Sequence, residues 1–137
     1  MAQIPLTITT LQKKFTDLDF GFALNPGTGD VGKKVNDEAI KQSMRNLILT
    51  KKYERPFKPN LSSPIYDLLF ELFTPNIKST LERIVFDVIN TYEPRVRVLG
   101  VEVNPTPDHN SLEISISYVV VGVEIPTEFT ITIERTR

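Results

Sequence analysis

The chain has 137 residues, 40% of them hydrophobic and 24% charged, enough for one domain with a real core, since a chain near this size buries about two-thirds of the surface its unfolded form exposes. It contains no cysteine, which excludes disulfide staples, cysteine–zinc sites and thiol catalysis. It has no apolar run of membrane-spanning length, and a net charge of −1 leaves no broad basic field for nucleic acid or anionic lipid.

Met1-Ala2-Gln3-Ile4-Pro5 shows neither the basic start nor the apolar stretch of a secretory leader, so none is expected. Residues 1–34 read as an irregular N-terminal segment ahead of a single α+β domain over 35–137. Inside that segment, residues 15–20 alternate apolar and polar, as a short strand does. Turn formers then crowd Asn25-Pro26-Gly27-Thr28-Gly29-Asp30, which reads as a loop.

A first helix is expected from about Asn36 to Thr50. Asn36 suits an N-cap, and Asp37 and Glu38 suit the positive end of the helix dipole. Ile40, Met44, Leu47 and Ile48 make one apolar stripe. Residues 53–64 hold Pro56, Pro59 and Pro64, which predicts an extended connector. Ser63-Pro64 opens a short helix through Phe73, and Thr74-Pro75 opens a third helix to about Tyr92. Its buried face is Ile77, Leu81, Ile84, Val85, Val88 and Ile89, and Pro94 stops it.

After Pro94 the period becomes two. Residues 96–103 form a strand whose apolar phase slips near Gly100, which predicts a bulge. A turn follows at 105–110. Leu112, Ile114, Ile116, Tyr118 and Val120 then alternate with polar residues in a long strand. Beyond Tyr118 both faces are apolar, so cover on both sides is expected. Phe129, Ile131 and Ile133 alternate with Thr130, Thr132 and Glu134 in a last strand. Helices first and strands later give an α+β fold, with three helices on an antiparallel sheet of at least three strands.

Gly27-Thr28-Gly29-Asp30-Val31-Gly32-Lys33-Lys34 approaches a phosphate-binding loop. It puts Lys34 where a magnesium-binding Ser or Thr is needed, and no buried strand precedes it. His109 is the only histidine, set in a turn between Asp108 and Asn110, so no zinc site or triad assembles around it. Glu71 with Asp67 one turn earlier reads as the wet stripe of a helix rather than a glycosidase pair. Glu93-Pro94-Arg95 stands out, because acid, proline and arginine meet at the junction of helix and strand, where proline stiffens the corner that presents the two charges. Thr130 and Thr132 lie in a strand with neither proline nor lysine from 127 to 137. Such a strand is either an open edge awaiting a partner strand or a central or covered strand of the sheet.

Three runs carry a resemblance: Arg55-Pro56-Phe57-Lys58-Pro59, Leu68-Leu69-Phe70-Glu71 and Tyr92-Glu93-Pro94-Arg95-Val96. With Phe15-Thr16-Asp17-Leu18-Asp19 and Asn46-Leu47-Ile48-Leu49-Thr50, their order resembles the baseplate wedge proteins of contractile-tailed phages. That family includes the T-even wedge protein once labelled a lysozyme and its type VI secretion counterpart. Two departures fall in the connector, where Tyr53-Glu54 replaces the family's Gly-Glu and Pro59-Asn60-Leu61-Ser62 replaces Pro-Glu-Phe-Gly. The resemblance implies a fold like the inner domain of the tail sheath and a structural role without catalysis or cofactor. It implies a subunit that joins the wedge core to the first sheath ring and initiates sheath polymerisation. The implied partners are other wedge proteins and the sheath protein, with no nucleic acid, membrane or small-molecule substrate. The implied place is the tail baseplate, assembled in the bacterial cytoplasm, or the equivalent cytoplasmic particle. Glu93, Pro94 and Arg95 would touch the wedge core. Two rival readings are a peptidoglycan glycosidase using Glu71 or Glu93 as its acid, and a nucleotide-binding module at Gly27 to Lys33.

Overall fold

Periodicity changes near Pro94, and the architecture changes with it. The structure, a computed structural model, describes residues 14–61, 63–69, 71–106, 111–123 and 125–134. The turn around His109 and the extreme N-terminus lie outside them. The elements run β1 (Thr16–Leu18), β2 (Lys33–Val35), α1 (Asp37–Leu49), α2 (Ile65–Leu68), α3 (Pro75–Tyr92), β3 (Val96–Thr106), β4 (Ser111–Val120) and β5 (Pro126–Glu134). The main sheet is antiparallel in the order β3-β4-β5. No helix among the described residues is long and apolar enough to cross a membrane.

The two long helices form where the sequence places them. In α1 the stripe Ile40, Met44, Leu47 and Ile48 is buried, and in α3 so are Leu81, Val85 and Ile89. Thr74 caps α3 by accepting from the Ile77 amide at 3.4 Å, with Pro75 in the first turn. These stripes pack on the inner face of the sheet, against Val98, Val103, Ile114, Ile116, Tyr118, Ile131 and other residues of the same phase. The expected bulge is present: the β3–β4 register shifts between Val98 and Gly100.

Four details differ from the sequence reading. Residues 14–35 are not irregular. β1 and β2 pair antiparallel, and a Leu24–Val31 bridge continues the hairpin beyond Asp19 and Gly32. The glycine motif is the tip and return arm of this hairpin, so it leads into β2 and not directly into a helix. The second helix is one turn long and ends well short of Phe73; Thr74 must be extended ahead of Pro75, with φ −120° and ψ 161°. The connector is not extended either. Pro56 and Pro59 occupy the second positions of successive turns, closed by Lys58 N to Arg55 O at 3.2 Å and Leu61 N to Lys58 O at 3.1 Å. Ser63 N donates to Thr50 O at 3.0 Å, so the ends of this loop meet. Beyond Tyr118 the cover is partial rather than complete: Val119, Val120 and Val123 are half-buried, and Val121 is 59% exposed.

Candidate functional site

Two features gather the residues singled out by sequence: the corner between α3 and β3, and the free edge of β5.

At the corner, the Glu93 amide closes α3 on Ile89 O at 2.8 Å, and Pro94 turns the chain into β3. Glu93 is 2% exposed. Arg95 grips it with both arms of its guanidinium, Nε to Oε1 at 2.6 Å and Nη2 to Oε2 at 2.8 Å. The remaining arm, Nη1, reaches Asp17 Oδ2 on β1 at 3.1 Å, and the guanidinium lies 5.7 Å from the centre of the Phe15 ring. Burial alone would push the Glu93 carboxyl up, but hydrogen bonds from Arg95 and Ser43 outweigh it and hold Glu93 below the usual carboxylate range. Arg95 is shifted upward, first by its bonds to Glu93 and then by Asp17, against the opposing effect of burial. The charges of Glu93-Pro94-Arg95 are thus not presented outward from a stiff corner. They face each other, because a carboxylate taken out of water needs a fork of donors to remain ionised.

The corner also fixes the hairpin. Asn36, expected as an N-cap, makes no side-chain cap bond and has φ 52°. Its Oδ1 accepts from Phe15 N at 3.2 Å, while its own amide donates to Phe15 O at 2.7 Å. Sequence reasoning singled out Asp17 only as part of a motif and missed Ser43. The usable signal was charge: Asp17 and Arg95 are complementary members of two motifs 78 residues apart.

At the sheet edge, backbone phase can be read from hydrogen bonds. Val121 N donates to Arg95 O at 2.9 Å, so odd-numbered groups of β4 face β3 and even-numbered groups face β5. Tyr118, Ile116, Ile114 and Leu112 pair with Thr127, Phe129, Ile131 and Ile133, which therefore point their N–H and C=O groups inward to β4. Glu128, Thr130, Thr132 and Glu134 turn theirs to the free edge. Pro126 has the same phase and no N–H to present. Among the described residues the strand is an edge strand, and both threonine side chains lie on the exposed outer face.

The opposite edge, on β3, is protected. By the same phase Val103 points its amide outward, and Glu82 Oε1 of α3 accepts it at 3.2 Å. The bulge at Val98–Gly100 and Pro105 interrupt the rest of that edge.

The rival sites do not assemble. A glycosidic general acid needs a raised pKa, whereas Glu93 is lowered and gripped by Arg95, and Glu71 and Asp67 are exposed. The phosphate-loop pattern needs strand, loop and helix in immediate succession, and here β2 intervenes.

Comparisons with known proteins agree with the motif reading. The family described as baseplate wedge protein gp25 matches residues 34–124. The baseplate wedge protein gp25 of Enterobacteria phage T4 is 32% identical over 114 residues, covering 83% of this chain and 86% of that protein. Three solved structures share the fold. A tail lysozyme candidate from Geobacter sulfurreducens gives a TM-score of 0.67 at 24% identity, covering 74% of this chain and 92% of that one. A chain of the anti-feeding prophage baseplate gives 0.63 at 20% identity, with 87% and 84% covered. A chain of the type VI secretion baseplate complex gives 0.62 at 17% identity, with 72% and 93% covered. The family match spans the Glu93–Arg95 corner, and with the relative at 32% identity it shows that the chain belongs to the baseplate wedge protein gp25 family.

Proposed function

We propose that this subunit joins the wedge core to the first ring of the tail sheath and starts sheath polymerisation, acting by assembly and not by catalysis. The observation that carries this reading is the asymmetry of the sheet. The β3 edge is closed by Glu82, a bulge and Pro105, while the β5 edge leaves the backbone of Thr130 and Thr132 unpaired among the described residues. An edge with neither proline nor lysine beyond Pro126 is a hazard in a solitary protein and a docking site in an assembly. A strand of the sheath protein would pair there. The corner at Glu93, Pro94 and Arg95, with the hairpin it holds, would face the wedge core and other wedge proteins. The place of action would be the baseplate, assembled in the cytoplasm.

The test is Thr132→Pro. It removes an outward N–H and leaves the β4–β5 ladder intact, so the purified chain should stay folded and fail to nucleate sheath in a reconstituted baseplate. Thr130→Pro, of the same phase, is the second variant. Ile131→Pro, which removes an inward donor, should unfold the sheet. Normal sheath nucleation by folded Thr132→Pro and Thr130→Pro would refute strand addition.

A further inference from the structure

The net charge of −1 hides a local imbalance. From Lys33 to Lys58, eight basic residues stand against three acidic ones; beyond Lys58, eleven acidic residues stand against six basic ones. The excess is concentrated in the loop after α1. There Lys51, Lys52, Arg55 and Lys58 face a single acid, Glu54, whose carboxylate is turned back onto the Lys51 amide at 2.8 Å. Every residue from 51 to 60 is exposed. Among the described residues, Arg55 and Lys58 make no ion pair, and Lys51 and Lys52 only stack over Tyr66 and Tyr53 at 4.7 and 5.3 Å.

Two aromatic rings share this surface, Tyr53 at 71% exposure and Phe57 at 97%. The loop is built to hold them there. Prolines set two of its turns, its ends are joined, and the Tyr92 hydroxyl anchors Asn60 O at 3.0 Å. A phenylalanine left wholly exposed on a loop of fixed turns forgoes the burial that a large apolar side chain ordinarily gains. Beside it runs a cleft of about 310 Å³ lined by Phe20, Asn46, Leu49, Thr50, Glu54 and Arg55. A second cleft of about 310 Å³ shares Phe20, Asn46 and Arg55, and adds Leu18 and Leu47.

We infer that this loop and its clefts form a second docking surface, whose occupant is an acidic segment carrying apolar side chains, supplied by another protein of the baseplate. The charge decides the occupant. Residues 1–13 contain Lys13 and no acid, and residues 135–137 read Arg-Thr-Arg, so neither end of this chain complements the patch. A nucleic acid strand would satisfy the cations and stack on Phe57, but it carries no aliphatic side chains to fill the clefts beside Leu18 and Leu49. A peptide satisfies both, with carboxylates on Arg55 and Lys58 and aliphatic side chains in the clefts. This surface is separate from the β5 edge, so it stands or falls apart from strand addition; it shares Asp17, Leu18 and Phe20 with the hairpin proposed to face the wedge core and deepens that part of the reading.

The experiment replaces Phe57 with the photo-crosslinker p-benzoylphenylalanine in the full chain and irradiates assembled baseplates. Cross-linked peptides are then mapped by mass spectrometry. The expected product joins residue 57 to a net-acidic segment of another baseplate protein. Its yield should fall at least about fivefold with Arg55→Glu and Lys58→Glu together, with the melting temperature unchanged. A cross-link to a second copy of this chain, to nucleic acid or to a segment without net acidity would overturn the inference. So would no cross-link, or a yield indifferent to the charge reversal.

Discussion

Arg95→Ala tests whether the corner is a fold element or a free contact. Removing the guanidinium leaves Glu93, 2% exposed, with Ser43 as its remaining side-chain donor and Asp17 without its cation. Leaving one member of a buried pair uncompensated costs about 3–5 kcal/mol. Because the Arg95 side chain is 21% exposed, water can enter, and the low end of that range, about 3 kcal/mol, is expected. For a domain of this length that corresponds to a fall on the order of 10 °C in melting temperature. Adding Glu93→Gln removes the stranded charge, so the double variant should melt above the single one. The pH dependence has a definite sign. Glu93 is lowered in the folded state, so its contribution is present above the ordinary glutamate pKa and lost as pH falls through the folded value. Without Arg95, burial is opposed only by Ser43 and the carboxyl moves upward. The stability gap between the two proteins should therefore narrow from pH 7 to about pH 3.5. Thermal melts by circular dichroism at both pH values decide it. Melting of Arg95→Ala within about 2 °C of the parent at pH 7, or a double variant no better than the single one, would show that the corner contributes little to the fold.

Three further outcomes follow from the same geometry. Tyr118→Phe removes the hydroxyl that donates to Asp37 from a fully buried ring and should cost about 1 kcal/mol in chemical denaturation. Asp37 is lowered because Lys41 and Tyr118 outweigh the effect of burial, so this variant should also lose less stability on acidification than the parent. Gly122→Ala should cost about 1 kcal/mol through backbone strain alone, since φ is +92° and a Cβ there meets nothing within 4 Å; a stabilised variant would contradict this. Glu82→Ala uncovers the Val103 amide and should cost about 1 kcal/mol, with faster hydrogen exchange at Val103 and concentration-dependent self-association as readouts.

The two long helices and the three strands of the main sheet were legible because their signals are local. Thr74-Pro75 and Pro94 bracket α3, and the slip at Gly100 marks the bulge, each within a few residues of its effect. The hairpin was not legible, because Lys33-Lys34-Val35 carries no alternation and becomes a strand only by pairing with Thr16–Leu18. The connector was misread because three prolines predict extended backbone one residue at a time. At the second position of a turn the same fixed φ folds the chain back. At the corner, sequence read Glu93 and Arg95 as presented outward, and the structure turns their charges toward each other. Whether a charge faces water depends on a partner 78 residues away. The edge status of Thr130 and Thr132 was left open by sequence, because strand order is a tertiary property; the run without proline or lysine only showed that pairing was not blocked.

Under the strand-addition proposal, the family motif and the edge that would receive the sheath strand are different parts of this chain. The most recognisable residues, Glu93 and Arg95, spend their charges on each other and on Asp17, so their identities are tied to the fold. An edge that accepts a strand works through N–H and C=O groups, which every residue but proline supplies. Side chains at Thr130 and Thr132 need only be good strand formers that do not obstruct a neighbour. Such an edge leaves almost no sequence signature and tolerates wide divergence, as long as the phase that turns its backbone outward is kept. That phase follows from the β4–β5 register, in which Leu112, Ile114, Ile116 and Tyr118 pair with Ile133, Ile131, Phe129 and Thr127. At the corner the backbone of Arg95 accepts from Val121 at the end of β4 while its side chain holds the hairpin through Asp17, so one residue ties the sheet to the hairpin by two unrelated kinds of contact.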